Sequence, residues 1–211
     1  MIIVWGWRVR FRTLGQGVFF CPSCGGDRHY NMQQGKRWFT LFWIPFIPLK
    51  DVGEPFVQCT TCRNAYKPAV LNQPTSAALS EALVSAMRGA LVWLLRVEAP
   101  TPVTIGAAVE VLSATAQRPW SEVELESDVA SLDLGTLANQ LAGLATALND
   151  HGRERFLADC ARVAAADGVI SDGERNLLNN VASSLTMTPA HAMGVITQVT
   201  QQAGQSGQPG I

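Results

Sequence analysis

Two periodicities divide the chain. Up to about residue 71, apolar and polar residues alternate; from Pro74 onward, apolar residues return every three to four positions. In the first stretch, Trp7, Val9 and Phe11 alternate with Arg8, Arg10 and Arg12, the pattern of a strand with one basic face. Leu14-Gly15-Gln16-Gly17 reads as a turn, and Val18-Phe19-Phe20 leads out of it. His29–Met32 predicts a short strand and Gln34-Gly35 a second turn. Trp38–Leu49 returns as a hydrophobic strand interrupted by Pro45 and Pro48, which cannot donate to a ladder and belong at an edge or a bend. Its aromatic residues exceed what a small sheet needs for its own core. They either wrap a local site or mark a contact.

The second stretch predicts seven helices. Ser76–Arg96 places Leu79, Leu83, Ala86, Met87, Ala90, Leu91 and Leu94 on one face. Pro100 and Pro102 break it, Thr104–Gln117 forms a second helix, and Pro119 stops that one. Ser121 and Glu124 form a capping box that opens a third. Leu134–Asn149 and Arg153–Ala166 follow, separated by a break at Asp150–Gly152. Ser171 and Glu174 cap a sixth that runs to about Leu185, and Thr188-Pro189 starts a seventh. The expected architecture is a small β domain over 1–71, an all-α bundle over 76–202 and a disordered tail over 203–211.

The chemistry of the front third lies in its cysteines. Cys21 and Cys24 form one C-x2-C pair, and Cys59 and Cys62 form another. Two such pairs offer four thiolates from two tight turns, the ligand set of a closed tetrahedral zinc site. Two disulfides are the alternative; without a secretory signal ahead of the pairs, reduced thiols and structural zinc are expected. His29 is a weaker candidate ligand, better read as a strand-face residue.

In the helical part the candidate chemistry sits between the fifth and sixth helices. Asp167-Gly-Val-Ile-Ser-Asp-Gly-Glu174 copies the back half of a calcium-binding loop: an acid, a glycine at the sharp turn, and a glutamate six residues later. The front half is missing, since its ligand positions fall on Val163 and Ala165. Asp159, two helical turns earlier, is placed to supply an oxygen. Asp159, Asp167 and Glu174 are therefore candidate ligands for Ca2+ or another divalent cation. The competing reading makes Asp167-Gly168 a helix-ending turn and Glu174 half of a capping box.

Charge sharpens the division. Residues 1–71 hold nine Lys and Arg against three Asp and Glu, and residues 72–211 hold seven against fourteen. A basic front half is suited to an anionic partner, including nucleic acid through Arg8, Arg10, Arg12, Lys36 and Arg37. No run is expected to approach a membrane span, which needs about 20 apolar residues; the most apolar, Trp38–Leu49, has twelve residues and two prolines. With no signal-peptide pattern opening the chain, a cytoplasmic location is expected. Enzyme classes find little to rest on. Cys160 occupies an apolar helix position and reads as a core thiol, His151 and His191 lack partner motifs, and no phosphate loop or nucleophile elbow occurs.

Two resemblances follow from these motifs. Val18–Arg28, Arg37–Pro45 and Cys59–Arg63 together resemble a small bacterial zinc-ribbon family, over residues 1–71. The resemblance implies a structural zinc on Cys21, Cys24, Cys59 and Cys62 and no catalytic role; Arg63 departs from it, standing where glycine often follows the second pair. Ala161–Glu174 resembles the hallmark of tellurite-resistance TerB-like domains, over residues 76–202. That resemblance implies an all-helical bundle of two similar halves with acidic residues between them, serving in metal or stress responses through protein partners. Asp159, Asp167 and Glu174 match its acidic motif. In the other half Glu98 stands for the aspartate, but Ala99 replaces the glycine and Ile105 the glutamate. The resulting expectation is a non-enzymatic zinc-binding interaction protein; the alternative is a nucleic-acid-associated ribbon.

Overall fold

The structure is a computed structural model that describes residues 5–41 and 44–206. The chain divides into two units, Met1–Ala78 and Leu79–Ile211.

The first unit is an antiparallel meander, β1 (Trp5–Cys21), β2 (Gly26–Leu41), β3 (Ile44–Cys59) and β4 (Ala65–Tyr66), in the order β1-β2-β3-β4. Its strands are far longer than the sequence pattern suggests, and the two expected turns are not turns. Leu14 is an extra residue in β1, where the pairing shifts between Thr13 and Gly15. At Gln34-Gly35, β2 runs straight through. Opposite Gln34 it is β3 that bulges, since Gln33 pairs with Phe56 and Gly35 with Val52. The surplus is accommodated at Gly53, whose φ is +76°. The Gln34 side-chain amide is buried there and donates to the carbonyls of Gly53 (2.9 Å) and Val52 (3.3 Å).

Among the described residues, the core of this sheet lies at its cysteine end. Phe19, Cys21, Val57 and Cys59 are buried, and Tyr30, Met32, Tyr66, Val70 and Leu71 pack on them. Phe19 meets Tyr30 and Tyr66 edge-on at 5.6 and 5.9 Å. None of the described side chains of the run Trp38–Leu49 belongs to this core, so those side chains do not wrap the cysteines. Of that run, Phe42 and Trp43, and the side chains of Leu41, Pro45 and Phe46, lie outside what the structure describes.

A 3-10 turn, Pro68–Asn72, follows the sheet. The first helix, α1 (Ser76–Val97), then begins with its amides of Ser76 and Ala77 donating to the carboxylate of Asp27, at 2.8 and 3.1 Å. This capping holds the Asp27 carboxyl below the usual carboxylate range.

In the second unit, α1 continues into a bundle with α2 (Pro102–Ala116), α3 (Glu122–Ser131), α4 (Leu137–Ala147), α5 (Asp150–Ala164), α6 (Asp172–Ser184) and α7 (Pro189–Ser206). Three capping boxes (Thr101 with Thr104, Ser121 with Glu124, Ser171 with Glu174) set the starts of α2, α3 and α6. Asp150–Gly152, expected as a break, is the first turn of α5, because Asn149 caps it through the Gly152 amide. Helix α7 continues to Ser206, so residues 203–206 of the expected tail are helical; residues 207–211 lie outside the described residues.

Ala86–Leu95 of α1 is almost wholly buried, apart from a half-exposed Arg88 and Trp93, and forms the centre of a core shared with Leu112, Leu125, Leu141, Leu144, Phe156, Leu157, Leu178 and Val181. This burial accounts for its composition. Contrary to the expectation that no run approaches a span, Pro68–Val97 is long and apolar enough to cross a membrane by length and hydropathy alone, but the central helix of a bundle passes the same test. Arg88 makes a two-pronged ion pair with the largely buried carboxylate of Asp128. Arg96 donates to the carbonyls of Val129 and Leu132, both at 2.8 Å, and so closes the C-terminal end of α3.

Candidate metal centre

Each cysteine pair sits at the end of a strand, where the chain must reverse. Cys21 ends β1. Its carbonyl accepts from the amides of Cys24 (3.1 Å) and Gly25 (2.9 Å), which curls the intervening residues into a knuckle. Gly25 completes the curl at φ +66°. Cys59 ends β3, and its carbonyl accepts from the Arg63 amide at 3.0 Å. The two knuckles are joined by side chains: Asn64 and Tyr66 both donate to the Ser23 hydroxyl, at 2.9 and 2.7 Å. The amide and hydroxyl of Thr60 both donate to the His29 carbonyl at 3.0 Å. His29 therefore contributes its backbone to this end of the sheet, and its imidazole is not part of the sulfur cluster.

These constraints bring the four sulfurs together. All four Sγ atoms lie within 4.8 Å of one another, and Cys21 Sγ is 3.7 Å from Cys62 Sγ. A tetrahedral ion with metal–sulfur bonds of about 2.3 Å separates its ligands by about 3.8 Å. The donor set fits a metal ion. All five cysteines of the chain are free thiols, so the disulfide alternative is not the arrangement seen. Among the described residues, these four form the one group of three or more His, Cys, Asp or Glu whose ligand atoms converge.

The electrostatics favour a cation. Burial opposes ionisation of Cys21, but hydrogen bonding with the Tyr66 hydroxyl (3.4 Å) and the Cys24 amide outweighs it and lowers the thiol to about 6. Burial also opposes ionisation of Cys59, and the amides of Cys62 and Thr61 lower it. Cys24 is pushed up to about 12, first by burial and then by the neighbouring sulfurs. Four thiolates this close repel one another; a positive ion between them turns that repulsion into attraction.

The acidic candidates are arranged differently. The Glu174 carboxylate is buried and accepts from the amide and hydroxyl of Ser171, at 2.9 and 3.0 Å, completing the capping box of α6. Asp159 pairs with Arg162 at 3.0 Å, and burial raises its carboxyl above the ordinary range. Asp167 and Glu174 do share a narrow crevice with Glu98 and Thr104, but Asp159 does not line it. Gly168 makes the turn at φ +122°. Cys160 is fully buried beside Met87, with sulfur atoms 3.9 Å apart, and burial drives its thiol upward. His151 and His191 both approach Glu154, at 3.8 and 2.7 Å.

Compared with known proteins, the chain matches no family model, no curated protein and no solved structure.

Proposed function

We propose that this is a non-enzymatic zinc-binding protein, with a zinc ribbon whose metal is structural and a TerB-like helical bundle that serves as an interaction module in metal or tellurite stress. The observation that carries the zinc assignment is the convergence of four cysteine sulfurs at tetrahedral spacing. Soft thiolates in a closed set of four suit zinc, and no ligand position is left for a substrate. Zinc bound there would join the ends of β1 and β3, so folding of the first unit would be coupled to metal loading. The interaction role of the bundle rests on the resemblance of Ala161–Glu174 to TerB-like domains. Its cation-binding aspect rests on Glu98, Asp167 and Glu174 lining one crevice.

Elemental mass spectrometry of the purified chain tests the first half. One zinc per chain is expected; a chain that holds no metal, with its four ribbon thiols oxidised, would overturn the ribbon reading. Calcium titration calorimetry tests the second. Heat that disappears in Asp167→Asn supports a cation-responsive bundle, and no heat leaves the bundle as a scaffold without a cation.

A further inference from the structure

The end of the sheet opposite the cysteines has a chemistry that the metal centre does not use. Facing residues in an antiparallel pair share a side of the sheet. Trp7, Phe39 and Ile47 therefore lie together on one face, and Arg8, Trp38 and Pro48 on the other. Trp7 meets Phe39 edge-on at 5.4 Å, yet Trp7 is 57% exposed, Ile44 60% and Ile47 52%. Among the described residues next to the tip of the β2–β3 hairpin, apolar side chains thus lie on both faces. Trp38–Leu49 carries no charge at all.

Cations begin where the apolar tip stops. Arg8 is the first. Arg37 follows on the apolar face opposite Val9, and Arg10 and Lys36 face each other on the other side. From the Trp5–Leu41 pair to the Arg8–Trp38 pair is three residues, or about 10 Å of strand. That is the depth to which interfacial segments sink into the headgroup and acyl boundary, about 5–10 Å. Pro45 and Pro48 lie on β3, which along this stretch has β2 as its one ladder partner among the described residues, and proline on an edge strand discourages strand addition by another chain.

We propose that this hairpin tip docks on an anionic lipid surface, with Trp7, Phe39, Ile44 and Ile47 in the interface and Arg8, Arg10, Lys36 and Arg37 as a collar on the phosphates. Aromatic rings at the level of the headgroups and basic residues just behind them are the composition that such surfaces select. A single-stranded nucleic acid is held largely by stacking of its bases on aromatic rings along a basic groove; here Trp38 shares a face with Arg8, but Ile44 and Ile47 beside Trp7 and Phe39 offer no ring for a base to stack on.

The test uses the full metal-loaded chain in vesicle flotation, with phosphatidylcholine alone and with added phosphatidylserine. Flotation with the anionic vesicles is expected, weakening as salt rises, together with quenching of tryptophan fluorescence by brominated acyl chains. Ile44→Glu combined with Ile47→Glu should reduce binding at least tenfold. Arg10→Gln and Lys36→Gln should each reduce it about fivefold. All four side chains are away from the metal centre, so metal stoichiometry serves as the check on folding. The proposal fails if the unaltered chain neither floats nor is quenched. It also fails if it floats equally with the Ile44 and Ile47 substitutions in place. Tighter binding to a single-stranded oligonucleotide than to anionic vesicles would assign the surface to nucleic acid, and a dimer dissolved by Ile47→Glu would assign it to a second copy.

Discussion

Arg63 holds the left-handed backbone conformation that Gly25 holds at the same point of the other knuckle, with φ of 61° against 66°. In both, the residue after the second cysteine donates its amide to the carbonyl of the first. A side chain in this conformation costs about 1–2 kcal/mol, and a glycine recovers part of that while losing some chain entropy. Arg63→Gly should therefore stabilise the second knuckle by about 0.5 kcal/mol or more. Gly25→Ala should weaken the first by about 1 kcal/mol. The measurement is the chelator concentration that removes half of the bound metal, which should rise in the first variant and fall in the second.

Tyr66 supports the sulfur cluster without being a ligand to it. Its hydroxyl lies 3.4 Å from Cys21 Sγ and donates to Ser23 at 2.7 Å. Groups that orient metal ligands in this way contribute about tenfold or more to affinity. Tyr66→Phe keeps the ring against Phe19 and removes only the hydroxyl, so metal retention against a chelator should drop about tenfold with stoichiometry unchanged. Cys24→Ser, which removes a ligand, should instead lower the stoichiometry itself.

Glu174 is the residue over which two roles compete. As the partner of Ser171 it caps α6, and Glu174→Ala should lower the stability of the bundle by about 1 kcal/mol in denaturant unfolding. Glutamine fills the same box, so Glu174→Gln should retain most of that stability. A cation ligand would behave otherwise, since calcium-dependent stabilisation would vanish in both variants.

Asp159 should reveal itself through pH. Burial raises its carboxyl in the folded chain, with Arg162 and Arg155 acting in the opposite direction. A group raised in this way adds stability below its unfolded value and gives it up as pH rises through its folded value. Asp159→Asn should match the unaltered chain in acid and exceed its stability near neutral pH, by less than about 1 kcal/mol because the site is only partly buried. Thermal unfolding across that range would show the gap opening as pH rises. A gap that closes instead would mean that the charged form is the stabilising one.

The helical unit was legible in the sequence because its signals are local. Period, proline breaks and the Ser121–Glu124 and Ser171–Glu174 boxes each act within a turn or two, and the helices begin within a few residues of the places those signals mark. The knuckles were legible for the same reason. The sheet was not. Leu14–Gly17 and Gln34-Gly35 have the composition of turns, yet long-range pairing carries β1 and β2 straight through them. A bulge and a turn draw on the same residues, and only the partner strand distinguishes them. The crevice that joins Glu98 to Asp167 and Glu174 depends on tertiary packing, which spacing along the chain suggests but does not determine.

The buried amide of Gln34 has a consequence for the alternatives open to the folding chain. A strand that slips by one residue sends every side chain to the opposite face. In β1 such a slip would exchange Trp7, Val9 and Phe11 for Arg8, Arg10 and Arg12. β3 carries the surplus at each of its three irregularities with β2, and Gln34 grips the Val52 and Gly53 carbonyls at the widest, where the surplus is two residues. That grip works as a latch against misalignment. The two-sidedness of the hairpin is a property of alignment as much as of composition, and a single uncharged side chain guards it.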